Sequence, residues 1–334
     1  MDYTLTLVPG DGIGKEVSDA VLEVLSACGM KIKWEIHHAG QRAVDEGLPP
    51  LPQALVDSIR KNKVALKGPL TTPVGSGFQS VNVALRKKLN LYACVRPVTS
   101  LCGVETPWKD VDLVVIRENT EGLYAGMEHL VTPDVAVGFR VLSREATEKI
   151  AHFSYRYARE NGRRKITFAH KRAAAPLAER LFAEWFLAVS ENYPFIETEV
   201  SSVDRVAMGL TLGPTDYDVL VFANLFGDIF SDLCAGLVGG LGVVPGSNIG
   251  DSHAVFEAVH GSAPDIAGQG VANPTALLFS AALLLDYIGE KEVGARVRKA
   301  TSAVLSEGGE VTRDLGGTAS TAVFTQAVIQ HLDQ

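Results

Sequence analysis

Two kinds of apolar pattern alternate along the chain. Short runs rich in β-branched and aromatic residues predict strands at 3–8, 31–36, 63–67, 111–116, 165–169 and 217–223. Apolar residues that recur every three or four positions predict helices at 13–28, 51–62, 144–161, 176–191, 274–289 and 290–305. Because strands and helices alternate, the pattern predicts an α/β protein built on a largely parallel sheet.

Length and charge narrow the possible partners. With 334 residues, of which 46% are hydrophobic, the chain is long enough to predict two compact units. Its formal net charge of −8 opposes binding to nucleic acid or to an anionic membrane surface. The uncharged stretches 233–250 and 266–285 are interrupted by glycine or proline, so they are predicted to be core and turns rather than membrane spans. An anionic ligand would therefore need a local cluster of basic residues.

The N-terminal segment and the cysteines bear on the compartment. The first residues contain no basic segment before an apolar stretch, so neither a signal nor a transit peptide is predicted and a cytoplasmic location is expected. The four cysteines have no metal-binding spacing and are predicted to be reduced thiols, mostly in the core.

A glycine-rich loop follows the first predicted strand. Gly10, Gly12 and Gly14 precede a predicted helix, and Glu35 ends the next strand, where a dinucleotide-binding fold keeps an acid for the ribose. The dinucleotide fingerprint needs its third glycine one residue later, where this chain has Lys15. Two interpretations stay open: a weak dinucleotide motif, or glycines that permit a tight turn between strand and helix.

Three arginines form a candidate anion site. Arg86, Arg96 and Arg117 could clamp a small polycarboxylate with planar, multiple donors. Hydroxyl and amide groups that could assist them are at Thr72, Ser80 and Asn82. The alternative is that these arginines form surface ion pairs. Glu118 and Glu121 are either general bases or partners of the arginines.

An acidic pair follows the predicted strand at 217–223. Asp228 and Asp232 are four residues apart, which puts them on one face of a helix near its start. They either complement the positive end of the helix dipole or hold a divalent cation such as Mg²⁺ or Mn²⁺. Asp204 can join them only if the fold brings it near.

Five motifs together resemble the β-decarboxylating dehydrogenases of the isocitrate/isopropylmalate dehydrogenase family. They are PGDGIGKE at 9–16, LRKKLNLYACVRP at 85–97, RENTEGLYAG at 117–126, NLFGDIFSDLCAGLVGGLG at 224–242 and VFEAVHGSAPDIAGQGVANPTA at 255–276. They follow the order of the family and cover nearly the whole chain. The resemblance implies the two-domain α/β fold of that family, with a mixed, largely parallel sheet that is not a Rossmann fold.

The resemblance also implies a domain division and an assembly. The large, cofactor-binding domain would comprise residues 1–98 and 245–334, and the small domain, with the dimer interface and the metal and catalytic residues, 99–244. Such enzymes are usually homodimers in which each active site borrows residues from the partner.

Roles for single residues follow from the matching motifs. Arg86, Arg96 and Arg117 would hold the carboxylates that all substrates of the family share. Asp228 and Asp232 would bind Mg²⁺ or Mn²⁺ together with Asp204 of the other protomer. Tyr124 would protonate the decarboxylated enol, and Lys171 would be the base that the partner protomer supplies for the C2 hydroxyl.

The resemblance implies that the segment at 72–86, where members of the family differ, meets the variable arm of the substrate. Isopropylmalate enzymes have an apolar leucine surface here, whereas this chain has Ser80 and Asn82, which resemble the groups that receive the third carboxylate of isocitrate. Isocitrate is therefore the predicted substrate, as in the tricarboxylic acid cycle. Homoisocitrate, D-malate, tartrate and 3-isopropylmalate stay open as alternatives.

The cofactor is predicted from Asp265 and Ile266. A carboxylate at this position accepts hydrogen bonds from ribose hydroxyls and repels a 2′-phosphate, whereas NADP-using relatives have lysine and tyrosine, so NAD is predicted. The other cofactor-binding residues that the resemblance implies are Ile13, His260, Gly261, Ser262, Ala263 and Asn273.

Three departures from the family pattern affect this interpretation. Lys171 is followed by Arg-Ala-Ala-Ala at 172–175 where the family usually has Ala-Asn, Arg205 replaces the asparagine expected after Asp204, and Cys94 replaces another asparagine. Three hypotheses follow: an active dehydrogenase, a catalytically weak regulatory subunit, and a dinucleotide-binding module without redox chemistry, the last of which the arginine and aspartate sets contradict.

Overall fold

The computed structural model describes residues 3–71 and 80–333. The strands are β1 (Tyr3–Val8), β2 (Ile32–Ile36), β3 (Val64–Lys67), β4 (Ala93–Thr99), β5 (Asp112–Glu118), β6 (Gly122–Thr132), β7 (Val135–Val141), β8 (Lys165–His170), β9 (Glu197–Ser202), β10 (Val219–Phe222), β11 (Pro245–Ile249) and β12 (Ala254–Ala258). The helices are α1 (Gly14–Ala27), α2 (Gln41–Asp45), α3 (Gln53–Asn62), α4 (Val81–Leu89), α5 (Arg144–Glu160), α6 (Pro176–Ser190), α7 (Val203–Leu212), α8 (Asn224–Leu237), α9 (Thr275–Tyr287), α10 (Lys291–Glu307) and α11 (Thr321–Gln330). Every predicted strand and helix overlaps one of these elements.

A single ten-stranded sheet runs through the described residues in the order β2-β1-β3-β12-β11-β4-β5-β10-β8-β9. Strands β11 and β4 introduce the antiparallel pairings, and the remaining neighbours in this sheet are parallel. The predicted α/β class with a mixed, largely parallel sheet is therefore confirmed.

Separate apolar cores lie along this sheet. One contains buried side chains from the first strands together with those from Ala254 to Leu332, so the two ends of the chain pack on each other. Others lie between Tyr92 and Val244. Helix α9 is buried almost all round, which explains the long uncharged stretch in the sequence. None of the helices among the described residues is long and apolar enough to cross a membrane.

The glycine loop after β1 is a packing turn. Gly10 and Gly12 have φ angles of 91° and 57°, and a Cβ at Gly12 would lie 1.9 Å from the carbonyl oxygen of Ser262. Glu35, in contrast to the dinucleotide interpretation, accepts hydrogen bonds from Lys61, Asn62 and Ser58 at 2.6, 2.8 and 2.9 Å. These bonds lower its pKa to about 2 and hold β2 against α3. The dinucleotide interpretation is therefore wrong.

Strands β6 and β7 form a two-stranded sheet separate from the main one. Several of its large apolar side chains are exposed: Met127, Leu130, Val131, Val135 and Phe139. A two-stranded hairpin is at best marginally stable alone in water. Contact with another protein chain would bury these apolar side chains and so stabilise the hairpin.

Candidate active site

A cavity of about 290 Å³ lies at the edge of the sheet where β3, β5 and β12 end. We call it the arginine cavity because Arg86, Arg96 and Arg117 line it, from α4, β4 and β5. The other predicted site residues in its wall are Ser80, Asn82, Tyr124 and Asp228. Predicted residues from four distant segments thus meet around one space. Thr72 lies outside the described residues.

Each arginine is held in place by a side chain of another element. Arg117 donates from Nε and Nη2 to Oδ1 of Asn224, at 3.0 and 2.7 Å, and pairs with Asp228. Arg96 binds Asp232 at 2.9 Å, and Arg86 lies 3.1 Å from Glu257. Since these arginines are buried around a cavity, the interpretation as surface ion pairs is wrong.

The like charges of the arginines affect each other. Burial lowers the pKa of Arg117, and the positive charges of Arg86 and Arg96 lower it further. An anion that enters this cavity would offset the repulsion between the clustered positive charges, so its binding is favoured.

Lys67 and Glu257 line the same cavity and were missed by the sequence reasoning. They face each other on β3 and β12, both buried, and Nζ of Lys67 lies 2.6 Å from Oε2 of Glu257. Burial raises the pKa of Glu257, but Lys67 and Arg86 lower it more, so it stays well below its usual range. The available signal was a charged residue inside an otherwise apolar run, at Lys67 after Val-Ala-Leu and at Glu257 after Ala-Val-Phe.

With these two residues the charge of the cavity can be counted. Its wall contains four basic side chains, those of Lys67, Arg86, Arg96 and Arg117, and two carboxylates, those of Asp228 and Glu257. The excess of two positive charges suits a ligand with several carboxylates.

Tyr124 on β6 presents a phenol to this cavity. Its hydroxyl donates to Oδ2 of Asp228, and the Arg117 guanidinium lies 5.1 Å from its ring centre. Burial and the neighbouring Asp228 raise the pKa of Tyr124, so the phenol keeps its proton at neutral pH. A protonated phenol on the wall of an anion cavity can act as a general acid.

Ser80 and Asn82 line the same cavity where α4 begins. The buried Oδ1 of Asn82 has no hydrogen-bond partner among the residues that the structure describes. Buried polar atoms are normally paired, so this amide has unused capacity for a ligand. Cys94 also lines the cavity, beside Arg96.

Asp228 and Asp232 are on successive turns of α8, and neither is in its first turn. The positions of these two residues along α8 therefore do not favour the helix-dipole interpretation, which requires carboxylates at the very start of the helix. Arg117 lowers the pKa of Asp228 although burial raises it, so the carboxylate stays ionised, as a metal ligand must. Carboxylate oxygens at the rim of an anion cavity fit Mg²⁺ or Mn²⁺.

Lys171 and Asp204 lie elsewhere and contact each other. Nζ of Lys171 binds both carboxylate oxygens of Asp204, which lowers the pKa of Asp204. Neither residue lines the arginine cavity. Consistent with this separation, the described residues contain no group of three His, Cys, Asp or Glu side chains that could hold a metal. One chain thus brings together two of the three predicted metal ligands.

Glu118 and Glu121 do not pair with the arginines. Glu118 is buried and accepts from the backbone and hydroxyl of Thr120, at 2.7 and 2.6 Å. Glu121 accepts from the backbone and hydroxyl of Ser143 at 2.7 and 2.6 Å. Glu118 stabilises a turn and Glu121 holds the start of α5, so their interpretation as arginine partners is wrong, and neither lines the arginine cavity.

A second cavity, of about 710 Å³, adjoins the first and shares His260 and Gly261 with it. We call it the outer cavity. Predicted cofactor residues in its wall are Ile13, His260, Gly261, Ala263, Ile266 and Asn273. Its size and mixed lining fit an adenosine moiety. Ser262 instead binds the Thr71 hydroxyl at 2.6 Å, and Asp265 is exposed outside the wall.

His260 stands between the two cavities. Burial lowers its pKa, so the imidazole is neutral at physiological pH. Its buried Nε2 has no hydrogen-bond partner in 3–71 or 80–333, while Nδ1 lies 2.9 Å from the Gly261 carbonyl oxygen. An unpaired ring nitrogen at the wall of the outer cavity supports a bound polar ligand there.

Comparison with known proteins finds relatives that are named as subunits of isocitrate dehydrogenase (NAD). A relative from Arabidopsis thaliana, named isocitrate dehydrogenase (NAD) catalytic subunit 5, mitochondrial, is 46% identical over 98% of this chain and 88% of its own. A relative from Dictyostelium discoideum, named as a mitochondrial regulatory subunit of isocitrate dehydrogenase (NAD), is 43% identical over 99% of this chain and 92% of its own.

The solved structures agree with the relatives. A crystal structure of isocitrate dehydrogenase from Methylococcus capsulatus matches with a TM-score of 0.96 and 46% identity, covering 99% of this chain and all of that one. The family model described as isocitrate/isopropylmalate dehydrogenase matches residues 4–332. The chain therefore belongs to the isocitrate/isopropylmalate dehydrogenase family.

Proposed function

We propose that this protein catalyses the NAD-dependent oxidative decarboxylation of isocitrate to 2-oxoglutarate and CO₂, assisted by Mg²⁺ or Mn²⁺. The observation that carries the proposal is the junction of the arginine cavity with the outer cavity at His260 and Gly261. A hydroxy acid in the first space and a dinucleotide in the second would meet there. The relatives named isocitrate dehydrogenase (NAD) support the same substrate and cofactor.

Isocitrate is favoured because it is a tricarboxylate. Arg86, Arg96 and Arg117 can bind two carboxylates, and the Ser80 hydroxyl and the amide N–H groups of Asn82 can donate hydrogen bonds to the third. An isopropyl group beside these polar atoms would leave them unpaired, which disfavours 3-isopropylmalate. The smaller acids D-malate and tartrate would leave the same groups without a partner, and homoisocitrate needs a longer space.

In the reaction, the chain orients the substrate and moves protons. Bound NAD would supply the hydride acceptor for C2, and a divalent cation would supply charge stabilisation for the substrate oxygens. Arg86, Arg96 and Arg117 hold the carboxylates in one orientation. Lys171 takes the proton of the C2 hydroxyl, and Tyr124 donates a proton to the carbon that has lost CO₂. Asp228 and Asp232 would hold the cation.

We propose further that the active unit is a homodimer. Lys171 and Asp204 lie outside the arginine cavity of their own chain, so a second chain would have to supply both. Exposed apolar side chains on β6–β7 and on the helices near these residues give a surface for that contact, for example Leu130, Phe139, Met208, Leu212 and Ile229. The relatives are named as subunits, which makes a hetero-oligomer the alternative.

The division into a large domain of 1–98 plus 245–334 and a small domain of 99–244 is part of the same proposal. The core that joins the first strands to residues 254–332, separate from those between 92 and 244, supports it. A role in the tricarboxylic acid cycle and a location in the cytoplasm stay predictions. The eukaryotic relatives are named mitochondrial.

One spectrophotometric panel tests the function. NADH or NADPH formation is measured with isocitrate, homoisocitrate, 3-isopropylmalate, D-malate and tartrate, each with Mg²⁺, Mn²⁺ or a chelator. We expect the highest kcat/KM for isocitrate with NAD, complete loss with the chelator and recovery with either metal. If another acid gave a higher kcat/KM than isocitrate, that acid would be the substrate and the assignment of isocitrate would be wrong. An inactive purified homo-oligomer would favour the alternative of a regulatory subunit, which the departures at 172–175 and Arg205 suggest.

A further inference from the structure

Glu179, in the first turn of α6, has a side chain that is completely buried. One carboxylate oxygen accepts a hydrogen bond from the backbone N–H of Lys171 at 3.0 Å. The other pairs with the guanidinium of Arg140, which reaches it from β7. A buried carboxylate thus connects the loop that carries Lys171 to the hairpin.

The contacts of Glu179 differ from those of an ordinary acid at a helix start. Such a residue usually accepts from free N–H groups of its own helix. Here both oxygens are committed to groups outside α6. A buried ion pair is also weak evidence of stabilisation, because removing both charges from water costs about as much as their attraction returns. The arrangement is better explained by a requirement for one geometry.

Arg140 is itself held between two elements. Its guanidinium lies 5.6 Å from the ring centre of Phe226, in the first turn of α8, and its buried Nη2 has no partner within the described ranges. Two residues beyond Phe226 on the same helix is Asp228, a wall residue of the arginine cavity. The Glu179–Arg140 pair therefore joins the Lys171 loop to the helix of the predicted metal ligands.

We infer that Glu179 is a positioning residue for Lys171, fixing the loop from which that lysine reaches its substrate; this inference rests on the proposed function. After Lys171 the chain turns at once, with the Ala174 N–H donating to the Lys171 carbonyl at 3.0 Å. The bond to Glu179 holds the start of this turn, and the Asp204 contact holds only the tip of the side chain. Without Glu179 the backbone of Lys171 would lose its anchor to α6.

The test is a double-mutant cycle in the full-length enzyme. We expect Glu179→Ala to lower kcat for isocitrate at least tenfold with less than a threefold change in KM, since misplacement of a catalytic group by about 1 Å costs ~10²-fold. In a Lys171→Met background the same change should lower the residual rate less than twofold. Glu179→Gln keeps an acceptor for the Lys171 N–H and should restore kcat to within about threefold of the wild-type value.

Glu184→Gln is the matched control, because Glu184 is on the exposed face of the same helix and pairs with Arg180 of that helix at 2.9 Å. It should leave kcat and KM unchanged. Equal losses from Glu179→Ala in both backgrounds, or equal losses in the Ala and Gln variants, would mean a purely structural role and overturn the inference.

Hydrogen exchange of the Lys171 amide gives a readout that is independent of turnover. Mass spectrometry of peptides spanning 169–175 should show at least tenfold faster exchange in Glu179→Ala and unchanged exchange in Glu184→Gln. Unchanged exchange in Glu179→Ala would overturn the inference. A wild-type chain that does not oxidise isocitrate, or a Lys171→Met variant with full turnover, would instead contradict the proposed function, so the two failures are distinguishable.

Discussion

Gly227→Ala is the most direct test of the geometry around Arg117. A Cβ at this position in α8 would lie 2.5 Å from Cγ and 2.6 Å from Cβ of Arg117, whereas ordinary contacts begin at 3.4 Å. Arg117 would have to move by about 0.9 Å to bring the closest of these contacts from 2.5 to 3.4 Å. It is almost completely buried on a central strand, so the side chain cannot turn towards solvent. Its hydrogen bonds to Asn224 and its ion pair with Asp228 would be distorted.

The expected losses differ for activity and for stability. A displacement of this size should lower kcat/KM for isocitrate by ~10²-fold, equivalent to about 2.7 kcal/mol of transition-state stabilisation. Stability should change less, because overpacking costs about 1–3 kcal/mol while replacing a helical glycine by alanine returns about 1 kcal/mol. The KM for NAD should stay within twofold, since Arg117 does not line the outer cavity.

Gly236→Ala is the control in the same helix. Apart from its chain neighbours and the backbone of its own helix, no atom of the described residues lies within 4 Å of the position that its Cβ would occupy, so Gly236→Ala should stabilise α8 by up to about 1 kcal/mol and leave kinetics unchanged. The assays are NADH formation under varied isocitrate and unfolding in denaturant. If Gly227→Ala kept kcat/KM within twofold of the wild-type value, the assigned role of the Arg117 position would be wrong.

Three further predictions follow from single side chains. Tyr124→Phe removes the proton donor and should lower overall turnover by ~10²- to 10⁴-fold, measured as NADH and CO₂ release; full turnover would refute its role as the acid. Asp265→Lys with Ile266→Tyr should raise kcat/KM for NADP relative to NAD, because a lysine attracts the 2′-phosphate that a carboxylate repels; an unchanged ratio would count against the cofactor assignment. The Ala327 carbonyl and Glu307 raise the pKa of His331 above its usual 6.5, so its stabilising charge is present below that pH and is lost as pH rises through the folded-state pKa. His331→Gln should therefore lower the melting temperature at about pH 5.5 and not at about pH 8.5, and equal losses at both would contradict the argument.

Elements with their own apolar period were predictable from the sequence. Helices α5 and α10 and strands β1 and β8 each match a predicted stretch to within a few residues, because one face or the whole strand is buried in this chain. The β6–β7 hairpin was missed because its apolar side chains are exposed and do not report a core within the chain. Apolar periodicity in a sequence therefore predicts only those elements whose apolar side chains are buried within the same chain.

Some residues of the site were also predictable from the sequence, and others were not. Arg86, Arg96, Arg117 and Tyr124 were found because they stand in motifs that are contiguous in sequence. The ion pair of Lys67 and Glu257 was not, since it depends on the register of two strands far apart in the chain. The anchor from Glu179 to Lys171 was missed for another reason: nothing in the local sequence distinguishes an acid that binds a loop from one that starts a helix.

The pairing of β3 with β12 also has a consequence for how the protein is made. Val64 and Ala254, partners in this ladder, are about 190 residues apart. At a synthesis rate of ~5–20 residues per second, the ribosome needs about 10 to 40 s between them. During that time β3, whose residues are all buried in the finished fold, has an open edge and is a site for aggregation. The strand that carries Lys67 is thus among the last to be secured, and a nascent chain that stops before β12 should need a chaperone to stay in solution.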